Sequence, residues 1–222
     1  MSLNISKGNM YDFVTHTWNT IKGKCYHDCS YCYMKRWGSL KPIRFDEKEL
    51  KTDLGKDNFI FVGSSCDMFA EDIPKSWIMK TLDYCELFNN KYLFQSKNPK
   101  RFIAYILDSV IINGSIFCAT IETNRFYSEM GNTIDTYQRA EYLKTIGKHI
   151  NTYITIEPIF DFDLHPFLNY LKLANPIQIN IGADSGNNNL PEPPKEKILE
   201  LITELEKFTK VKLKKNLKRL IK

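Results

Sequence analysis

Several features of common protein classes are missing from this chain of 222 residues. It has only 10 glycines, and the absence of a G-x-G-x-x-G run weakens a dinucleotide-binding Rossmann interpretation. No apolar run approaches the roughly 20 residues of a membrane-spanning helix. Residues 1–13 lack the apolar segment of a secretory signal peptide. These absences predict a cytoplasmic protein with no membrane segment, in a compartment where thiols stay reduced.

The composition predicts one folded domain over residues 1–222. Hydrophobic residues make up 43% of the chain and aromatic residues 13%, which excludes global disorder. The net charge of +5 is unevenly distributed, because residues 207–222 ("KFTKVKLKKNLKRLIK") carry eight Lys or Arg and no acid, leaving −3 for residues 1–206. This basic C-terminal segment predicts contact with nucleic-acid phosphates, or else a solvated terminal strand and helix.

Short β-branched or aromatic runs alternate with helical patterns about every 30 residues. The predicted strands are 13–18, 58–63, 91–96, 115–121, 152–157 and 177–182, with 211–215 as a possible seventh, edge strand. The predicted helices are 46–53, 75–88, 99–110, 135–148, 164–173 and 194–208. Such alternation indicates parallel strands with crossover helices. Because a complete eight-unit barrel takes about 250 residues, we predict an α/β fold with an open, partial parallel (β/α)6 TIM-like barrel.

The carboxyl ends of parallel strands gather at one mouth, where such folds carry their functional residues. The first predicted strand leads into "KGKCYHDCSYCYMKRWG", residues 22–38. Polar side chains follow the ends of the later strands, and we expect them to surround this segment: Ser64, Ser65, Asp67, Lys97, Glu122, Asn124, Glu157 and Asp184. Their density predicts a site for a polar, charged small molecule.

Three cysteines lie within eight residues, with the spacing C-x3-C-x2-C. In a reducing compartment, Cys25, Cys29 and Cys32 indicate a metal site or catalysis rather than disulfides. Thiolates select zinc or iron–sulfur clusters. A structural zinc site would need a fourth ligand, which His27 could supply. A [4Fe–4S] cluster normally takes four cysteines, so three would leave one iron open to a substrate or cofactor.

The cysteine spacing, with Tyr31 just before the third cysteine, resembles that of the radical S-adenosylmethionine (SAM) enzymes. Along nearly the whole chain, the segments "THTWNTIKGKCYHDCSYCYMKRW", "GSSCDMFAEDIP", "FQSKNPKRF", "ATIETN", "TIEPIFDFD" and "IGADSG" follow one another as in a phage-associated radical SAM family. That family is mostly uncharacterised and is distantly similar to spore photoproduct lyase. One departure is that "SSCD" replaces the Gly-Gly-Glu that usually follows the second strand.

The resemblance implies a [4Fe–4S] cluster on the three cysteines, with SAM at the open iron. One electron, from a donor of the flavodoxin or ferredoxin type, would cleave SAM to methionine and a 5′-deoxyadenosyl radical that abstracts hydrogen from a substrate. The implied contacts place Tyr31 at the adenine, Ser65 and Asp67 at the methionine amine, Ser96 and Lys97 at the carboxylate, Glu122 and Asn124 at the ribose, and Glu157 at a ribose or amine group. Each of these residues also has an ordinary structural interpretation, in packing, capping or ion pairing.

The remaining cysteines receive separate predictions. Cys66 follows the second predicted strand and would donate a hydrogen atom to a substrate radical, as a cysteine near that position does in spore photoproduct lyase, or would simply line the SAM pocket. Cys85 and Cys118 are predicted to be core residues.

The sequence therefore predicts a radical SAM enzyme acting on a nucleic acid or nucleotide. One alternative is a radical SAM enzyme acting on a peptide or metabolite with a partner protein. A second is a zinc-stabilised nucleic-acid-binding module without catalysis.

Overall fold

A sheet of eight strands organises the chain, and the computed structural model describes residues 3–106 and 114–222. In chain order the strands are β1 (Asn4–Ile5), β2 (His16–Trp18), β3 (Ile21–Lys22), β4 (Arg44–Phe45), β5 (Phe59–Val62), β6 (Lys91–Ser96), β7 (Ile116–Thr120), β8 (Thr152–Ile156), β9 (Gln178–Ile181) and β10 (Lys210–Leu213). The sheet order is β1-β2-β5-β6-β7-β8-β9-β10, and β3 pairs with β4 separately.

The sheet is parallel from β2 to β10, and only its edge strand β1 runs antiparallel to β2. Because β1 and β10 stand at opposite ends of the strand order, the sheet is open, and the predicted open, partial barrel is confirmed. Each predicted strand is present, including the seventh, which forms as β10 with Lys210 opposite Gln178 of β9. The two-residue strands β1, β3 and β4 were not predicted, since two residues show no alternation.

The helices cover the predicted ranges with two changes. They are α1 (Lys75–Glu86), α2 (Ile103–Ile106), α3 (Thr136–Ile146), α4 (Leu164–Ala174), α5 (Lys195–Glu206) and α6 (Lys218–Ile221). Predicted helix 46–53 is a 3-10 helix over Glu47–Lys51, a length at which the tighter i to i+3 pattern is common. Predicted helix 99–110 is a 3-10 helix over Pro99–Phe102 followed by α2, and its positions 107–110 lie outside the described residues.

The core lies between the sheet and the helices. Every residue of β7 and of β9 is buried, as expected for parallel strands covered on both faces. Cys85 and Cys118 are fully buried in this core, as predicted. Within residues 3–106 and 114–222, no helix has both the length and the apolar character needed to cross a membrane.

Candidate active site

A cavity of about 1440 Å³ opens at the carboxyl ends of the strands. Its walls include residues that follow β5, β6, β8, β9 and β10, together with Thr120 at the end of β7. The predicted site residues on its surface are Tyr31, Ser64, Ser65, Cys66, Asp67, Ser96, Lys97, Glu157 and Asp184, together with Cys25, Cys29 and Cys32. Parallel strands thus bring these residues to one mouth, as their positions after the strands predicted.

The three clustered cysteines lie on one wall of this cavity as free thiols. Tight turns fold their segment, because the Asp28 amide donates to the Cys25 carbonyl at 3.2 Å and the Cys32 amide donates to the Cys29 carbonyl at 3.2 Å. Asp28 takes a left-handed conformation (φ 48°), which places the chain reversal between the first two cysteines.

Residues 127–132, the support loop, hold the cysteine segment through its backbone. The Ser30 amide donates to the Glu129 carbonyl at 2.9 Å, and the Cys29 thiol donates to the Met130 carbonyl at 3.1 Å. Gly131 has φ 67°, and a Cβ at this position would overlap the carbonyl oxygen of His27. No periodicity or residue spacing indicates this contact, so the support loop was not predicted.

His27 is committed to protein partners on both ring nitrogens. Its Nε2 lies 2.8 Å from a carboxylate oxygen of Asp67, and its Nδ1 lies 3.0 Å from the carbonyl oxygen of Asn132. Burial lowers the pKa of His27, but the bond to Asp67 and its charge outweigh burial, so the pKa is raised. His27 is therefore not free to act as a fourth zinc ligand. Among the described residues, no three His, Cys, Asp or Glu side chains converge on a single metal-ion position.

Asp67 connects the cysteine segment to the ends of β5 and β6. One of its oxygens receives hydrogen bonds from His27, from the Ser96 hydroxyl at 2.8 Å and from the Lys97 amide at 2.8 Å. The other receives the Phe69 amide at 2.9 Å. The Ser96 hydroxyl in turn accepts from the backbone amide two residues on, at 2.8 Å. Asp67 and Ser96 thus position the cavity wall, while their predicted contacts with SAM stay predictions.

Ser65 and Cys66 present small polar groups to the cavity. The Ser65 hydroxyl is buried and has no hydrogen-bond partner among the described residues, while its amide donates to Asn19 at 2.8 Å. A buried hydroxyl left unpaired beside a cavity indicates a place for a ligand atom. Cys66 is 3% exposed and lines the cavity together with Cys25.

Glu122 is a fully buried carboxylate between two cations. It accepts from the Tyr31 hydroxyl at 2.7 Å and from Arg139 Nη1 at 2.7 Å, and it is ion-paired with Lys97 Nζ. Burial alone would raise the pKa of Glu122, but the charges of Lys97 and Arg139 lower it to about 2. Glu122 is not among the residues that line the cavity, and its contact with the SAM ribose stays a prediction.

Lys97 retains positive charge for the cavity. One carboxylate is shared by two buried cations, Lys97 and Arg139, so this cluster carries a net charge of +1. The Lys97 Nζ atom lies 4.6 Å from the centroid of the Tyr31 ring and lines the cavity. Arg139 was not predicted, because nothing in a helical pattern tells an exposed arginine from one that reaches a carboxylate on another element.

Asn124 lies away from the cavity. Its side-chain oxygen accepts from the Asp163 amide at 2.7 Å, and its Nδ2 atom donates to the Asp163 carboxylate at 3.2 Å. These bonds attach the segment after β7 to the start of α4, and Asn124 is not among the cavity-lining residues.

Glu157 holds two distant chain segments at the mouth. Its carboxylate accepts from Asn9 Nδ2 at 2.8 Å, from Asn216 Nδ2 at 3.0 Å and from Lys214 Nζ at 2.5 Å. The Lys214 ammonium also lies 4.5 Å from the centroid of the Tyr11 ring. The basic C-terminal segment is consequently one wall of the cavity rather than a free tail.

Positive charge dominates the cavity lining. Four acidic residues line it: Asp28, Asp67, Glu157 and Asp184. Ten basic residues line it: Lys7, Lys24, Lys35, Arg36, Lys97, Lys214, Lys215, Lys218, Arg219 and Lys222. Because residues 1–206 carry a net negative charge, this excess is a local property of the cavity and suits an anionic ligand.

No protein-family model and no curated protein sequence matches the chain. Among solved structures, a cysteine-to-serine mutant of spore photoproduct lyase has a TM-score of 0.68 at 12% identity, covering 95% of this chain and 79% of that chain. Spore photoproduct lyase complexed with dinucleoside spore photoproduct gives 0.67 at 12% identity, covering 94% and 78%. A double mutant with bound AdoMet and dinucleoside spore photoproduct gives 0.66 at 11% identity, covering 93% and 78%. The chain therefore shares the fold of spore photoproduct lyase.

Proposed function

We propose that the protein is a radical SAM enzyme that binds a [4Fe–4S] cluster through Cys25, Cys29 and Cys32. The observation that carries the proposal is that three free thiols from one tightly turned segment line a single cavity at the mouth of this fold. The donor set fits the cluster, since each thiolate binds a different iron and the thiols need not converge on one point. Zinc is disfavoured because His27 is already bonded through both ring nitrogens.

SAM is the proposed cofactor at the iron without a cysteine ligand. When bound, the cluster and SAM supply a carbon-centred radical that abstracts hydrogen from a substrate. Lys97, with the net positive charge of its buried cluster, binds the methionine carboxylate, and the unpaired Ser65 hydroxyl bonds the methionine amine. Tyr31 packs edge-on against Phe160, at 5.4 Å between ring centroids, and presents its ring to the adenine.

The proposed substrate is a nucleic acid or nucleotide. The excess of basic residues around the cavity suits phosphate groups, and the basic C-terminal segment provides much of it. The reducing electron comes from a protein of the flavodoxin or ferredoxin type.

The proposed function is tested by anaerobic reconstitution with iron and sulfide. We expect four irons and four sulfides per chain, and we expect 5′-deoxyadenosine to form when SAM and a reductant are added. Changing Cys25, Cys29 and Cys32 together to alanine should abolish both iron binding and 5′-deoxyadenosine formation while the circular dichroism spectrum is retained. Cys85→Ala, which removes a core thiol away from the cavity, is the matched control. A full iron complement in the triple variant would refute the assignment.

Cys66 is the proposed hydrogen-atom donor to the substrate radical. Its S–H bond breaks as a C–H bond forms on the substrate, and one electron from the flavodoxin- or ferredoxin-type donor plus a proton then returns the thiyl radical to the thiol. Cys66→Ala and Cys66→Ser should both keep bound iron and 5′-deoxyadenosine formation but divert substrate to side products, because neither side chain has a weak bond to hydrogen. Product analysis by mass spectrometry checks this, and an unchanged product distribution would leave Cys66 as a wall of the cavity.

A further inference from the structure

Two cations of the basic C-terminal segment, Lys214 and Arg219, hold this wall of the cavity (the basic wall) in place. The Lys214 Nζ atom lies 2.5 Å from a Glu157 carboxylate oxygen. The Arg219 Nη2 atom lies 2.5 Å from a Glu192 carboxylate oxygen and 3.1 Å from the Asp184 carbonyl oxygen. Their charges are largely neutralised inside the protein, so they are poor candidates for binding a ligand.

Three other lysines of the same wall have no such partner. Lys215, Lys218 and Lys222 line the cavity, are exposed, and form no ion pair with any carboxylate among the described residues. Their spacing of three and four positions places them on one face of the helical segment that begins with a 3-10 turn and continues as α6. Like charges so close repel one another, and a row of phosphates would relieve that repulsion.

An exposed tryptophan lies between two cavity-lining residues in another part of the chain. Trp37 is 73% exposed and ends the 3-10 helix Tyr33–Trp37, while its neighbours Arg36 and Gly38 both line the cavity. The Tyr33 hydroxyl donates to the Ser64 carbonyl at 2.6 Å, which attaches this helix to the segment after β5.

An exposed indole whose sequence neighbour is a cation offers a stacking platform to a nucleobase. Base pairing and stacking within a duplex leave no free base face, so only an unpaired nucleotide offers one to Trp37. The 3-10 helix Tyr33–Trp37 and the basic wall thus place an aromatic ring and cations near one cavity. Proteins that bind single-stranded nucleic acid combine these two kinds of contact.

We propose that the cavity mouth binds single-stranded nucleic acid, with phosphates on Lys215, Lys218 and Lys222 and an unpaired base stacked on Trp37. The proposal rests on the proposed function for the class of substrate, and it adds the strand state and the residues that recognise it.

The test measures the affinity of the reconstituted protein, with SAM bound, for a fluorescently labelled oligonucleotide over a series of salt concentrations. The single strand should bind more tightly than the duplex of the same sequence. Changing Lys215, Lys218 and Lys222 together to glutamine should reduce the slope of log affinity against log salt by about 2, at roughly 0.7 per phosphate contact on a single strand. The charge-matched control changes the exposed Lys75, Lys144 and Lys148, which lie outside the cavity lining, and should keep the slope.

Trp37→Ala should weaken single-strand binding by about 5- to 150-fold, whereas Trp37→Phe should retain most of the affinity. Phe126→Ala is the aromatic control, because Phe126 is 87% exposed and neither of its sequence neighbours lines the cavity, whereas both neighbours of Trp37 do. Equal affinity for duplex and single strand, unchanged affinity in Trp37→Ala, an unchanged slope in the lysine variant, or equal binding of polyglutamate would each overturn the proposal.

The outcomes separate this inference from the proposed function. If 5′-deoxyadenosine forms but binding does not depend on strand state, the single-strand interface is wrong and the radical SAM assignment stands. If single-strand binding follows the predicted pattern but no SAM is cleaved, the interface stands and the proposed chemistry fails.

Discussion

Glu122→Ala is expected to lower the free energy of unfolding by about 3–5 kcal/mol, because it leaves a fully buried Arg139 without its counter-charge. Lys97 loses its carboxylate as well, so two neighbouring cations would then share no counter-charge. For a chain of this length, such a loss corresponds to a fall in melting temperature of roughly 6–20 °C. Thermal and urea unfolding followed by circular dichroism measure it. Glu204→Ala is the control, since Glu204 is ion-paired with Lys207 at the surface and should change stability little.

The contribution of Glu122 to the free energy of unfolding is also expected to depend on pH. Because the pKa of Glu122 is lowered from 4.5 to about 2 in the folded protein, folding favours the ionised carboxylate. Its contribution is therefore complete above pH 4.5 and is lost as the pH falls toward 2. The difference in unfolding free energy between the native protein and Glu122→Gln should accordingly be constant near neutral pH and shrink below pH 4.5. A difference that stayed the same throughout this acid range would contradict the assignment of Glu122 as a buried counter-ion.

Gly131→Ala is expected to disable the proposed cluster site, although residue 131 carries no ligand. Its Cβ would occupy the position of the His27 carbonyl oxygen and lie 3.1 Å from the Cys29 amide nitrogen, so the cysteine segment must move away from the support loop. Displacing reacting groups by about 1 Å costs on the order of 10²-fold in rate, and we expect a loss of that size in 5′-deoxyadenosine formation, together with reduced bound iron.

Gly114→Ala is the control that separates the backbone strain of a positive φ from displacement of the cysteine segment. Gly114 also has a positive φ, 89°, but the nearest atom to an added Cβ is the Lys91 Cγ atom at 3.7 Å. This variant has the free-energy cost of an alanine in a left-handed backbone conformation, about 1–2 kcal/mol, but its Cβ overlaps no other atom. Bound iron should therefore stay normal in Gly114→Ala. If both variants lost iron equally, the contact between the support loop and the cysteine segment would not be the cause.

The sequence predicted the sheet well because its strands are short apolar runs that the covering helices bury on both faces. Placing the cysteines and the strand-end residues at one mouth followed from the parallel arrangement alone. Most of the predicted site residues do line the cavity. Local pattern and chain order were sufficient for this part of the site.

Two of the predicted site residues do not line the cavity, because their side chains pair with distant parts of the chain. Glu122 and Asn124 follow β7 as predicted, but Glu122 meets Arg139 of α3 and Asn124 meets Asp163 before α4, so neither lines the cavity. The partner of a buried carboxylate depends on which helix packs over it, and no local spacing records that. The same holds for Glu157, whose partners come from both ends of the described chain.

The strand order bears on how the cavity is assembled during synthesis. From β5 onward, each new strand pairs with the one made just before it, and β10 with the basic wall is added last. About 180 residues separate Cys32 from the end of β10, which corresponds to roughly 10–40 s of translation at the usual rate. During that interval one side of the cavity that the cysteine segment lines is still missing. Until β10 pairs with β9, the cavity is open on the side that the basic C-terminal segment later forms.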